Sequence, residues 1–163
     1  MISVDDKAPD FTLYGDDMES HSLSDALDQG PVLLLFFPGS FTSVCTNELN
    51  SVNNELEDFG GDQITVFGIS TDSPFVLKEF SQVHKFQFPL LSDHMAKVSE
   101  KYGAKYDHDF TSMELDRISK RSAFVVRPDG TVAYAEVLEN AGAMPDFTRI
   151  KKTLQQELSR KRA

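Results

Sequence analysis

The only cysteine among 163 residues, Cys45, lies in the stretch FFPGSFTSVCTNEL, directly after an apolar run and a Pro-Gly turn. Pro38-Gly39 ends that run, and an amphipathic pattern begins a few residues later with Thr42 or Ser43 available as helix N-cap, so Cys45 falls in a first helical turn. Counting back from Leu49 places the thiol on the face that continues to Val52, Leu56 and Phe59. Two readings of that position stand side by side. An unpaired cysteine on an apolar face is a small buried hydrophobe. The free N–H groups of a first turn, on the other hand, favour a thiolate, and ligand sites of open α/β sheets lie at the carboxyl ends of strands, where this residue falls.

Other chemistry-bearing residues carry weaker signals. His21, His84, His94 and His108 have no metal-ligand spacing and read as scattered exposed histidines. Gly60-Gly61 follows a helical pattern and precedes an apolar run, which is a C-cap turn and not a phosphate loop. Ser40 lacks the GxSxG setting of a hydrolase nucleophile, and no aspartates are spaced as a calcium loop. No metal and no cofactor is expected.

The elements that must position Cys45 follow from the apolar pattern. Val32 to Phe37, Ile64 to Ile69 and Ala123 to Val126 are too short for helices and read as buried central strands. Helical patterns follow the first two, one through Leu49, Val52, Leu56 and Phe59, the other through Val76, Phe80 and Val83 after the Ser73-Pro74 start signal. Strand, helix, strand implies βαβ crossovers and an α/β sheet. FPLLSD leads into a helix from about Met95 to Tyr102 that stops at Gly103. Residues 104 to 120 read as a polar surface loop. SAFVVRPDGTVAYAEV reads as an antiparallel hairpin turning at Pro128-Asp129-Gly130, and a last helix after Pro145 buries Phe147, Ile150, Leu154 and Leu158. One domain over residues 1–163 is expected.

Composition narrows the function classes. The net charge is −10, with 26 acids against 16 Lys and Arg, which repels nucleic acid and anionic membranes. No Lys or Arg occurs between Lys7 and Lys78. The tail from Arg149 onward is basic, as suits the end of a helix, where cations complement the dipole. There is no signal-like N-terminus and no run of eighteen apolar residues, so a soluble cytoplasmic protein is expected. A lone cysteine forms no internal disulfide, which fits a reducing compartment.

Pro38, Thr42 and Cys45 match PxxxTxxC, and Arg121 in KRSAFVV precedes a late strand; with APDFTL, FFP, TNEL, FPLLSD, KYG and FVVRPDG, the chain resembles the peroxiredoxins over nearly its whole length. The resemblance is greatest to the one-Cys members related to the alkyl hydroperoxide reductase E and bacterioferritin-comigratory groups. It implies a thioredoxin-like fold, a central mixed sheet flanked by helices with a late hairpin and C-terminal helix, and reduction of hydrogen peroxide or organic hydroperoxides. By residue, it makes Cys45 the nucleophile, Thr42 a hydroxyl that bonds thiolate and peroxide, Pro38 a shield against solvent, Arg121 the cation holding both, and Glu48 the acid that orients Arg121. Taken alone, Thr42 reads as a simple helix cap and Arg121 as an ordinary exposed strand-end residue. Asn50 stands where bacterioferritin-comigratory members often carry a resolving cysteine, so an external thiol or a thioredoxin- or glutaredoxin-type reductant is implied, as is a homodimer. Rival readings are a peroxide-responsive sensor or a thioredoxin-fold binding module without turnover; a dithiol oxidoreductase fails because Thr42 occupies the first position of CxxC.

The chemistry sets a requirement of its own. The thiolate attacks, so a thiol pKa of about 8.5 must fall to about 6, which is worth roughly 3.4 kcal/mol. A helix N-terminus supplies about 0.3–1 kcal/mol, and about 2 in a partly buried geometry. A remote cation must be brought in by the fold, and Arg121 is the expected one.

Overall fold

The computed structural model describes residues 2–107 and 113–162, so His108 and the middle of the 104–120 segment lie outside the described residues. In chain order the elements are β1 (Thr12–Gly15), β2 (Ser20–Ser22), α1 (Leu23–Leu27), β3 (Val32–Phe36), α2 (Ser43–Asn54), α3 (Leu56–Phe59), β4 (Thr65–Ser70), α4 (Pro74–His84), β5 (Leu90–Ser92), α5 (Lys97–Lys101), β6 (Ser122–Val126), β7 (Val132–Val137) and α6 (Phe147–Arg162). They build a seven-stranded sheet in the order β2-β1-β5-β4-β3-β6-β7. β3, β4 and β5 run parallel, while β1, β6 and β7 join antiparallel, so the sheet is mixed.

The unbroken apolar runs of β3 and β6 follow from burial on both faces, since alternate side chains enter opposite layers. Leu33, Leu35 and Phe37 pack with Cys45, Leu49 and Val52 of α2, Leu77 and Phe80 of α4, and Ile150 and Leu154 of α6. Val32, Leu34 and Phe36 pack on the other face with Phe11, Leu23, Val98 and Tyr102.

Several sequence expectations are modified. The helix expected from Leu49 through Phe59 is two helices, parted at Glu55, whose φ of −118° and ψ of 26° are not helical. On α4 the buried residues are Leu77, Phe80 and Ser81, whereas Val76 and Val83 are 40% and 55% exposed. Both stripes have helical spacing and share Phe80; packing of that ring against Phe37, with centroids 6.2 Å apart, selects the Leu77 side. The helix expected from Met95 begins only at Lys97, because Ala96 is left-handed and buried Asp93 accepts from the Val98 and Ser99 amides at 3.1 and 2.7 Å.

Residues 104 to 120 are not wholly a surface loop either. Lys105 and Ser119 form an isolated antiparallel bridge, and Ala104, Tyr106 and Ser119 are buried. Among the described histidines only His94 is exposed; His21 bonds Asp17, and His84 stacks on Phe86. No helix among the described residues is long and apolar enough to cross a membrane.

Candidate active site

β3 delivers the chain to the site. Phe37 extends the strand by one more bond, donating its N–H to Ile69 O at 2.9 Å, and buried Pro38 ends it. The chain then turns through Phe41, at φ 66°, to Thr42, the N-cap of α2. Thr42 does not cap with its side chain; its hydroxyl donates to the Gly39 carbonyl at 2.9 Å and so braces the turn it stands in. Cys45 is the third residue of α2 and is 1% exposed.

Arg121 arrives from the neighbouring strand for a reason of register. β3 and β6 are antiparallel with Phe36 opposite Ser122, which places the residue before β6 beside the residue after β3. The Leu138 amide donates to the Arg121 carbonyl at 2.9 Å and fixes that backbone. The guanidinium is 1% exposed and makes three bonds: Nη2 to Cys45 Sγ at 3.1 Å, Nη2 to Ala141 O at 3.1 Å, and Nη1 to Glu48 Oε1 at 2.5 Å. Glu48 lies one turn beyond Cys45 and is fully buried.

The electrostatics of the cluster are those of one cation facing two acids. Burial opposes the charge on Arg121, but Glu48 and Cys45 outweigh that and hold the guanidinium more firmly protonated than usual. Burial pushes Glu48 up to about 7 against the pull of Arg121. Among the described residues, Glu48 Oε2 and Arg121 Nε are buried without a hydrogen-bond partner. Tyr106, 6% exposed, also feels the site: burial raises its pKa, Arg121 lowers it, and Glu139 and Cys45 raise it again.

The fold thus gathers Cys45, Glu48 and Arg121 into direct contact and sets Pro38 and Thr42 at the turn leading to them. Sequence reasoning missed Tyr106 and the Ala141 carbonyl, both from irregular segments with no motif. It also set Ser40 aside, which holds the turn through Asp72. Among the described residues no three His, Cys, Asp or Glu side chains gather as a metal would need.

Residues 4–135 match the AhpC/TSA family. The chain belongs to this family and is a peroxiredoxin. Alkyl hydroperoxide reductase E of Mycobacterium tuberculosis is 34% identical over 139 residues, covering 84% of this chain and 86% of that protein. Peroxiredoxin Bcp of Escherichia coli is 31% identical over 133 residues, covering 82% and 84%. The crystal structure of peroxidoxin BcpB from Mycobacterium tuberculosis superposes with a TM-score of 0.83 at 28% identity, covering 96% of this chain and 98% of that one. The thioredoxin-type peroxiredoxin fold expected from the sequence is therefore the fold of this chain. Peroxiredoxins are thiol-dependent peroxidases, and this one has a single cysteine with which to be one.

Proposed function

We propose that Cys45 is the peroxidatic nucleophile of a one-Cys peroxiredoxin that reduces hydrogen peroxide and organic hydroperoxides. The observation that carries the reading is the 3.1 Å contact from Arg121 Nη2 to Cys45 Sγ, with Glu48 holding the other arm of the guanidinium. A guanidinium donor at that distance bonds the sulfur directly and is placed to meet negative charge that develops beside it. The thiolate attacks one peroxide oxygen, an S–O bond forms as the O–O bond breaks, and the other oxygen leaves as alkoxide or hydroxide and takes up a proton. Arg121 meets the charge on that leaving oxygen. Cys45 is left as a sulfenic acid, which an external thiol reduces.

Pro38 keeps water from the sulfur in this reading, and Thr42 turns its hydroxyl from Gly39 to the arriving peroxide. Residues 1–163 act as one domain, since both core layers share one sheet. The reductant is a small thiol or a thioredoxin- or glutaredoxin-type protein, and a reduced resting cysteine suits the cytoplasm. A homodimer would cover Phe41 and Phe75, which are 52% and 75% exposed.

Peroxide consumption with excess thiol tests the assignment. Cys45→Ser abolishes it, because a serine hydroxyl is too weakly acidic to replace the thiol. Arg121→Met slows it by about 10²–10³-fold, the loss typical of a donor to a developing oxyanion. Arg117→Met leaves it unchanged, since Arg117 is exposed and contacts Met95 Sδ at 3.6 Å. Intact mass after one equivalent of peroxide should show one added oxygen on the wild type and none on Cys45→Ser. Turnover by the serine variant, or a loss at Arg117 instead of Arg121, overturns the assignment.

A further inference from the structure

Met95 takes no part in the chemistry of Cys45, yet its sulfur is placed in a similar way. The residue is 54% exposed, and Arg117 Nη1 donates to Met95 Sδ at 3.6 Å. A guanidinium on a thioether repeats, at the surface, the pairing that Arg121 makes with buried Cys45. Both sulfurs lie beyond the carboxyl ends of parallel strands, Cys45 after β3 and Met95 after β5.

The backbone under Met95 is fixed although its side chain is open. On one side, His94 Nδ1 lies 3.2 Å from the Thr71 carbonyl, just beyond β4. On the other, the Ala96 amide donates to the Asp93 carbonyl at 2.8 Å, and buried Ala96 takes a left-handed conformation that leads into α5. A cavity of about 240 Å³ opens beside Arg117, bounded also by Thr71, His94 and Ile118. It has several times the space a water molecule needs, enough for a small hydroperoxide next to the guanidinium.

These features meet what oxidation of a thioether requires. A sulfur lone pair attacks one oxygen of the hydroperoxide, an S–O bond forms as the O–O bond breaks, and the other oxygen leaves with the electron pair. The leaving oxygen takes up the proton of the transferred oxygen and departs as water or alcohol, so Met95 becomes the sulfoxide and no further reactant enters. Charge that develops on the leaving oxygen needs a donor, and a guanidinium is a charged one. A thioether is a weak acceptor and a sulfoxide a polar one, so the same arginine also holds the product.

We propose that Met95 is a second, stoichiometric oxidation site for hydroperoxide, with Arg117 as its donor. The site takes one oxygen per chain and needs an outside reductant to give it up, so it registers exposure to excess peroxide and does not turn over by itself. Arg117 stands four residues before Arg121, and the sulfoxide therefore ties the loop after β5 to the segment that leads to the active-site cation.

The test uses Cys45→Ser, in which no thiol competes for peroxide, so its outcome is separate from that of the peroxidase assignment. The variant is incubated with excess hydrogen peroxide and digested, and each methionine is followed by peptide mass. Exposure alone ranks Met113 first at 67%, ahead of Met95 at 54%, Met18 at 39% and Met144 at 38%. With the donor in place, Met95 is oxidised first, about tenfold faster than the others. Arg117→Gln in the same background slows Met95 by about tenfold and leaves Met18 and Met144 as they were. Arg117 flanks one side of the sulfur, so one sulfoxide epimer predominates, read by which of the two epimer-specific methionine sulfoxide reductases removes it. Arg117→Gln brings the epimers toward equal amounts. Met95 oxidised no faster than Met113 overturns the proposal. So does an unchanged rate and epimer ratio in Arg117→Gln, or a variant in which Met18, Met95 and Met144 all shift together.

Discussion

Arg121 donates through Nη1 to Glu48 and through Nη2 to Cys45, so a single buried cation serves two groups that both compete for its charge. Glu48 is the loser in this sharing, since its Oε2 has no partner among the described residues and burial lifts its pKa from 4.5 to about 7. The sign of the consequence follows by linkage. A group whose folded pKa lies above its unfolded value contributes stability that is fully present below pH 4.5 and is lost as pH rises through about 7. Glu48→Gln keeps an acceptor for Arg121 but has no charge to desolvate. In denaturant titrations the variant should gain on wild type by up to roughly 3 kcal/mol as the pH is raised across that window. A difference that is flat with pH, or that grows the other way, would mean Glu48 stays ionised throughout. Peroxide attack by the variant should also slow, because the guanidinium loses the carboxylate that orients it. At this scale the sequence was legible where chemistry is local: Cys45 and Glu48 are one helical turn apart, and their shared face follows from counting. Arg121 was legible only through resemblance, since nothing in KRS states that Phe36 pairs with Ser122. The direction of the Thr42 hydroxyl, and the reach of Asp72 to Ser40, depend on rotamers and loop path that no periodicity encodes.

The elements that were read well are those whose apolar pattern has one solution. β3, β4 and β6 are buried on both faces, and α6 presents one stripe, with Ile150 and Leu154 fully buried. α4 offered two overlapping stripes, and α5 offered an apparent helix longer than the one that forms. The second case is a capping effect. The Asp93 carboxylate, 3% exposed, accepts from Val98 N through Oδ1 and from Ser99 N through Oδ2, so it fixes both the start of α5 and the turn that enters it. Ser99 in turn shares a buried hydroxyl contact of 2.7 Å with Ser119, two residues before Arg121. Asp93→Ala should destabilise the protein by about 1–3 kcal/mol, the cost of a lost cap plus two buried amides without acceptors. Hydrogen exchange should localise the loss to residues 97–101, with the β3 amides still protected. Uniformly faster exchange across the sheet would show instead that α5 does not open on its own. β1, β2 and α1 escaped the sequence reading for a simpler reason: with three to five residues each, they are too short for any period to show.

Across the whole molecule, the two ends of the chain meet on Arg127, at the turn that joins β6 to β7. Its Nε bonds Glu157 of α6 at 3.1 Å, and its Nη1 bonds Asp5 near the N-terminus at 2.9 Å. Nη1 also reaches Thr131 Oγ1 and Val132 O, so the guanidinium is locked into the turn before it serves either acid. Glu157, the one acid of the basic tail, points inward to a cation of the sheet and is joined there by Arg160 at 3.3 Å. The two acids on Arg127 differ in exposure, at 9% for the Glu157 side chain and 79% for Asp5, and exposure decides their worth. An ion pair open to water is screened and contributes about 0–1 kcal/mol, whereas removing one partner of a buried pair leaves a charge that has lost its solvation. Double-mutant cycles built on Arg127→Met, Glu157→Gln and Asp5→Asn should separate these cases. The Arg127–Glu157 coupling is expected at about 1–2 kcal/mol and the Arg127–Asp5 coupling below about 0.5 kcal/mol. High salt should erase the second and leave most of the first. Oxidation by peroxide should be unchanged in all three single variants, because none of these groups contacts Arg121, Glu48 or Cys45. A larger coupling to Asp5 than to Glu157 would place the clamp on the N-terminal segment and leave α6 held chiefly by its apolar face, with Ile150 and Leu154 at its centre.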